Sequence, residues 1–422
     1  IDLPHNYYFR EMYRPHLTSG PSAVAWAPDG QSLVYSMQGS LWSQRIGSET
    51  AEQLTSGPGY DFQPDYSPDG KRIVFVRYLK DAMELAQLEV ASGTVTELTR
   101  NGGVNVEPRW SPDGARIAWV STSGSGHFHV FVGKLSRYGL TGSAVWPERR
   151  SVTPRYYYSA FDHELSPTWS RDGKELIYVG NPEISYGTGA LWRRALDRDA
   201  TPVPIRIEET TWRARPDWSS DGKRVIYSSY AGRQWHQLWL TTASGDDPLP
   251  VSFGDFDNTG ARWSPDGKRL AFISNRNGTT EIWLQEILGG KQQRLEIREI
   301  HYLQPMGRLR LHTVDSAGHP VSARVAVLAD DGRAYAPDDA WIHGDDNFDR
   351  RQAAFETEYF HTSGLAEMSV PVGAVSVTVW RGLEHRIEKR TAEVKAGEPL
   401  DLTIKSQPLD LPSGWSDRWL SG

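Results

Sequence analysis

Cysteine is missing from all 422 residues, so the chain holds neither a disulfide framework nor a thiol nucleophile, and thiols say nothing of its redox compartment. Long apolar runs are missing too. The richest stretches, Val325–Ala329 and Val375–Trp380, are strand-length, far short of the roughly eighteen consecutive apolar residues of a membrane helix. A basic surplus is also lacking: the formal net charge is −7, which excludes the electrostatic footprint of a nucleic-acid binder. Several enzyme signatures are absent. There is no Gly-x-Ser-x-Gly elbow and no His-Glu-x-x-His, since His163-Glu164 runs on into Leu-Ser-Pro. Walker-type loops are absent as well, because Gly70-Lys71 and its equivalents belong to hairpins. The chain opens at Ile1 with no basic-then-apolar leader, so the expectation is that an upstream segment was removed. Location stays open, with a periplasmic or secreted place favoured.

What is present is an internal repeat. Six times a large aromatic ring precedes a tight turn: Trp26-Ala-Pro-Asp-Gly30, Tyr66-Ser-Pro-Asp-Gly70, Trp110-Ser-Pro-Asp-Gly114, Trp169-Ser-Arg-Asp-Gly173, Trp218-Ser-Ser-Asp-Gly222 and Trp263-Ser-Pro-Asp-Gly267. The turn aspartates are spaced by 40, 44, 59, 49 and 45 residues, which suits one four-stranded propeller blade per repeat. Proline presets φ, aspartate tolerates the next position, and glycine takes the left-handed conformation that closes the hairpin. The 17 Trp and 18 Tyr recur at equivalent positions, so packing between blades explains them better than an aromatic ligand platform.

The spacing predicts an all-β chain: a six-bladed β-propeller over 1–298, a linker over 299–307, a small antiparallel β-sandwich over 308–406 and a tail over 407–422. Glu281–Gln285 and Gln292–Glu296 complete a blade. Pro15-His-Leu-Thr-Ser-Gly-Pro21 echoes Glu52-Gln-Leu-Thr-Ser-Gly-Pro58, so residues near Tyr13–Thr18 read as a spare outer strand that closes the ring against the last blade, with Gln292–Glu296 either sharing that blade or leading out of it. In the sandwich, Arg308–Val314, Ala323–Leu328, Glu367–Val370, Ala374–Trp380 and Leu400–Lys405 alternate as strands. The long polar stretch Tyr335–Gly364 between them reads as a docking segment.

The six repeats resemble the TolB-like (PD40, WD40-like) propeller over about residues 15–298. The stretch Gly307–Lys405, with Val314-Asp-Ser-Ala-Gly-His-Pro-Val321 and Val370-Pro-Val-Gly373, is similar to a carboxypeptidase-regulatory or transthyretin-like sandwich. Propeller and sandwich in that order are similar to the N-terminal portion of amidohydrolase-like and PHP-type (CehA/McbA-type) metal-dependent hydrolases. The resemblance implies that Gly414–Gly422 leads toward a metal-binding His-x-His strand in a further domain, and that no catalytic residue and no cofactor belong to this chain itself. A divalent metal would sit in that further domain.

Candidate chemistry in the chain is of three kinds. His127-Phe-His129 is the one His-x-His, and on a strand both imidazoles face one side, as two ligands of a divalent metal must. His163 or Glu164 is the expected third donor, although a pair of surface histidines on the third strand of a blade needs no metal. Asp345, Asn347 and Asp349 with Glu356 match the oxygen spacing of a calcium loop, but Arg350 stands where such loops need glycine, which favours a solvated docking loop. Finally, Asp61, Glu107, Glu164, Arg213, Arg215 and Asn258 are expected to ring one mouth of the propeller channel, with Tyr157 and His236 overhanging it. Such a ring suits an intramolecular or protein partner, or is merely wet. The leading reading is a non-catalytic binding and scaffolding portion of a larger metal-dependent hydrolase. The alternatives are a stand-alone TolB-like interaction module, and a propeller polysaccharide lyase or glycosidase using His127 and His129.

Overall fold

In a computed structural model of the chain, described for residues 20–79, 82–136, 139–151, 160–182, 189–210, 213–231, 234–338, 340, 343–344 and 358–410, every regular element is a strand and none is a helix. Accordingly, no helix among the described residues is long and apolar enough to cross a membrane. The strands fall into two compact units that divide between His301 and Tyr302, with Ser56–Pro58 grouped with the second.

The first unit is a propeller-like succession of antiparallel meanders, each starting on the strand that ends in a repeat aromatic. The first sheet runs Ala23–Trp26, Ser32–Met37, Ser40–Arg45 and Thr50–Gln53. The next five follow the same order, beginning at Tyr60–Tyr66, Asn105–Trp110, Glu164–Trp169, Asp217–Trp218 and Asn258–Trp263. Their second strands are buried residue after residue, as in Ile73, Val74, Phe75 and Val76, which is the pattern of a strand covered on both faces. Apolar clusters accordingly join adjacent sheets: Ala25, Val34 and Leu41 of the first pack with Ile73, Phe75 and Leu88 of the second. The same pairing joins Ile226 and Leu238 of the fifth sheet with Ala261, Leu270 and Phe272 of the sixth.

The turns explain why the motif recurs. In the second sheet the Ser67 hydroxyl donates to Asp69 Oδ1 at 2.6 Å and accepts the Arg72 N–H at 3.0 Å, while Gly70 N–H bonds the Ser67 carbonyl at 2.9 Å. Gly70 has φ +70°, a conformation that residues with a Cβ adopt only at a cost. Around this end of the unit each turn touches the next: a Cβ on Gly70 would lie 3.7 Å from Pro28, and one on Gly114 would lie 3.6 Å from Pro68. An arginine clamp adds to the contact. Arg116 stacks 4.9 Å from the Trp169 ring and donates to the Gly173 carbonyl at 2.7 Å. The last sheet makes the same clamp on the first, since Arg269 lies 4.9 Å from the Trp26 ring and donates to the Gly30 carbonyl at 3.0 Å. Trp26 Nε1 in turn donates to the Arg262 carbonyl at 3.0 Å.

Two expectations are refined here. The stretch expected as a linker contains a strand, Glu299–His301, which pairs in parallel with Thr50–Gln53 at the outer edge of the first sheet. The fourth strand of the sixth sheet is Gln292–Arg294, beside Glu281–Glu286, so this segment does share the last sheet. The spare strand expected near Tyr13–Thr18 lies outside the described residues.

The second unit holds two sheets. In one, Met306–Val314 pairs with Leu365–Pro371 antiparallel and with Pro399–Lys405 in parallel, so the all-antiparallel expectation fails at that edge. The other runs in the order His343–Gly344, Glu358–Thr362, Ala323–Ala329, Gly373–Trp380 and Glu388–Val394, with Ala334–Tyr335 also on Ala323–Ala329. Leu309, Leu311, Met368 and Ile404 from the first sheet share one core with Val325, Val327, Val375 and Val377 from the second. The calcium-loop residues Asp345–Glu356 and the tail from residue 411 lie outside the described residues.

Candidate functional site

Ahead of five of the six aromatics the first unit carries a second repeat, three residues upstream. Gln63, Glu107, Ser166 and Arg215 have φ of 51°, 56°, 50° and 33°, and Gly260 has 63°. Each of the four non-glycine positions precedes a proline, and the ladders slip there, between Phe62 and Asp65, and between Leu165 and Thr168. The device is a β-bulge, and for a residue with a side chain the left-handed conformation costs about 1 kcal/mol or more. The backbone N–H freed by the bulge is taken by the preceding sheet. Gln63 donates to Ser36 Oγ at 3.1 Å, Glu107 to Gln63 Oε1 at 2.8 Å, Ser166 to Glu107 Oε2 at 2.6 Å and Gly260 to Ser228 Oγ at 3.2 Å.

These residues line a central cavity of ≈ 20 Å³, about the room of one water. Two residues that stand just before an aromatic, Arg109 and Arg262, line it as well, and both are held by aspartates at equivalent positions. Asp217 accepts Arg109 Nη2 at 2.5 Å and Arg262 Nη1 at 3.2 Å, and its other oxygen accepts the Trp263 N–H at 2.9 Å. Asp65 lies 3.5 Å from Arg109 Nε and accepts the Trp110 N–H at 2.8 Å. A charged lattice thus ties the second, third, fifth and sixth sheets together. Above it, Arg215 lies 3.7 Å from Glu107, whose carboxyl is pushed above its usual range by burial, against the pull of that arginine. Three donors of this cavity are buried without a hydrogen-bond partner: Gln63 Nε2, Arg109 Nη1 and Arg215 Nε. All three ask for an acceptor.

Of the residues expected at the mouth, Glu107 and Arg215 line this cavity. The others stand further upstream, where they are engaged within the protein. Asp61 receives Arg77 through both oxygens at 2.7 and 2.9 Å, and Glu164 accepts the Val130 N–H at 3.0 Å. Asn258 donates to Gln237 Oε1 at 2.9 Å and accepts from Arg276 at 3.2 Å. Arg213 and His236 meet at one carboxylate, Asp257, at 3.2 and 3.1 Å. Burial works to raise Asp257, but His236 and Arg213 hold it below its usual range. Tyr157 lies outside the described residues. Sequence reasoning missed Asp65, Arg109, Asp217 and Arg262, although each directly precedes a repeat aromatic.

The His-x-His pair does come together, His129 opening the strand His129–Ser136 and His127 standing in the bend just before it, with Glu148 meeting both rings. His127 Nδ1 lies 2.5 Å and His129 Nε2 3.2 Å from Glu148 Oε1. His163, expected as a third donor, is buried in a reciprocal contact with Asn181, which accepts its N–H at 2.9 Å and meets its ring Nδ1 at 3.1 Å. Glu164 stands behind His129, 3.7 Å from Nδ1. Burial works to lower the His129 imidazole, but Glu164 and Glu148 prevail and hold it above its ordinary value.

A family profile described as the TolB β-propeller domain (PD40) matches residues 17–156 and 152–314. Over 86 residues the chain is 30% identical to an uncharacterised peptidase, YuxL, of Bacillus subtilis, which covers 19% of this chain and 13% of that protein. Over 75 residues it is 35% identical to the Tol-Pal system protein TolB of Thioalkalivibrio sulfidiphilus, covering 17% of each. The chain spans less than half the length of these curated relatives. Among solved structures, the putative TolB from Agrobacterium tumefaciens is similar at a TM-score of 0.47 and 18% identity, covering 58% of this chain and 83% of that one.

Proposed function

The chain belongs to the TolB β-propeller domain family, and from that premise we propose that its first unit is a closed six-bladed ring acting as a non-catalytic binding module. The repeated clamp of Arg269 on Trp26 supports closure, because the last sheet grips the first as Arg116 grips Trp169. The second unit, with two sheets on one core, is read as a carboxypeptidase-regulatory or transthyretin-like sandwich.

The observation that carries the binding role is the set of unpaired donors, Gln63 Nε2, Arg109 Nη1 and Arg215 Nε, in one narrow cavity. A buried donor without an acceptor costs about 1–3 kcal/mol, so the cavity favours an occupant that brings acceptors and little bulk. One carboxylate oxygen of a protein partner, from a side chain or chain terminus, has that chemistry, and charge-assisted bonds from arginine to it are of the strong kind. The test is affinity capture with the purified chain and its Arg215→Glu variant, matched for fold by circular dichroism. Partners held by the wild type are expected to be lost from the variant; capture that survives charge reversal removes the channel reading.

The wider reading is that propeller and sandwich form the mount of a larger amidohydrolase-like or PHP-type metal-dependent hydrolase, in a periplasmic or secreted location. It rests on the order of the two units. Purified chain given Zn²⁺ or Mn²⁺ is then expected to hydrolyse no amide or ester substrate, and robust turnover by this chain alone would overturn the non-catalytic role.

A further inference from the structure

We propose that His127, His129 and Glu148 form a binding site for a divalent first-row cation, Zn²⁺ first among them, with Glu164 holding the His129 ring from behind. The local chain is built to bring the two rings together. A tight turn with Gly124 at φ +93° and Gly126 at φ +83°, closed by Gly126 N–H to the Thr122 carbonyl at 3.0 Å, delivers His127 just ahead of the strand His129–Ser136. Phe128 between them turns into the core, where it is 1% exposed, so both imidazoles point the other way. Glu148 approaches from the connection after Gly139–Ala144, and one donor atom from each of the three residues lies within 4.8 Å of the others. Ligands about 2.0–2.1 Å from a tetrahedral zinc stand about 3.4 Å apart. The His129 to Glu148 separation of 3.2 Å is already close to that, and His127 to Glu148 at 2.5 Å needs a small opening.

His129 is the buried donor of the set and stands between two carboxylates, Glu148 at Nε2 and Glu164 at Nδ1. It is 5% exposed, and its Nδ1 is buried without a hydrogen-bond partner, 3.7 Å from Glu164 Oε2. With a cation on Nε2, the ring proton resides on Nδ1 and faces Glu164, giving the carboxylate–histidine–metal relay that fixes tautomer and orientation. Glu164 is itself anchored by the Val130 N–H at 3.0 Å. His127 is held by stacking on Phe161, with ring centroids 4.7 Å apart. Two imidazoles and one carboxylate select a borderline transition cation over Ca²⁺ or Mg²⁺, which prefer all-oxygen shells. The His127 and Glu148 side chains remain 26% and 30% exposed, so a fourth position faces solvent and can take water or a ligand oxygen.

The experiment titrates chelator-stripped protein with Zn²⁺ in competition with a chromophoric chelator, and with Co²⁺ followed by its visible absorption. One equivalent is expected to bind. Glu164→Gln is expected to weaken binding by about 10–100-fold, and His127→Ala and Glu148→Gln by more, all with unchanged circular dichroism. His301→Ala, which removes a histidine paired with Glu52 and Glu299 elsewhere on the first unit, is expected to leave the affinity unchanged. Absence of stoichiometric binding, binding indifferent to both His127→Ala and Glu148→Gln, or binding lost in His301→Ala would each overturn the site.

Discussion

The two ends of each inner strand in the first unit are built on opposite rules. Downstream of the aromatic every repeat spells nearly the same turn: Ser67, Ser111, Ser170, Ser219 and Ser264 each bond the aspartate two residues on. Upstream of it, the cavity position changes with every sheet, from Gln63 to Glu107, Ser166, Arg215 and Gly260, although all five share one backbone conformation. Sameness at the turns makes neighbouring sheets dock alike. Variety at the bulges, on a constant frame, gives the cavity its particular donors and charges.

The comparison can be broken most sharply at the charged lattice. Asp217→Ala leaves Arg109, Arg262 and the Trp263 N–H without their shared acceptor, and a loss of about 3–5 kcal/mol in urea unfolding is expected. A loss below 1 kcal/mol would mean that the lattice is not what holds these sheets. Next comes the ring itself. Arg116→Ala and Arg269→Ala remove equivalent clamps, each expected to cost about 1–2 kcal/mol. A far smaller cost for Arg269 would show that the last sheet and the first do not grip each other as the others do.

The turns should respond more weakly. Ser264→Ala removes the bond to Asp266 and the acceptor of the Arg269 N–H, for about 1 kcal/mol, and adding Ser111→Ala is expected to be additive. The sign of its pH dependence follows from the serine bond, which with the next N–H holds the turn aspartates below their usual range. Their stabilisation is complete above the unfolded carboxylate value of about 4 and is lost as pH falls through the lower folded values, so the serine variants should lose less in strong acid. The smallest effect has the opposite sign. Glu107 is raised by burial, so its charged form weighs against folding as pH rises through its folded value. Arg215→Ala, by removing the opposing charge, should therefore destabilise more at neutral pH than in acid, as chemical unfolding at the two pH values would register.

Much of this frame was legible in the sequence. The aromatic and its turn marked the start of every sheet in the first unit, because a hairpin that needs a left-handed glycine leaves few residue choices. Strands such as Arg72–Leu79 and Arg269–Ser274 followed directly. The charged lattice was less visible. Asp65, Arg109, Asp217 and Arg262 alternate in sign over repeats 44 to 108 residues apart, and only the packing of the sheets brings opposite charges together. A signal did exist: the pairs Gln63-Pro64, Glu107-Pro108, Ser166-Pro167 and Arg215-Pro216 recur ahead of the aromatic, in a place where a plain strand would avoid proline. Glu148 had no such signal. It sits on an irregular connection whose path follows from packing rather than from any period, so local pattern pointed instead to His163, whose ring is engaged with Asn181.

Four of the five positive-φ positions borrow a hydrogen-bond acceptor from the sheet before them, as Ser166 does from Glu107 and Glu107 from Gln63. The cavity is consequently a collective property: no single meander owns it, and a chain with one sheet detached has lost not only a wall of the cavity but the geometry of its neighbour as well. Under the proposed binding role, filling the hole and holding the sheets together should rise and fall as one, with the occupant as a keystone for the sheets that surround it.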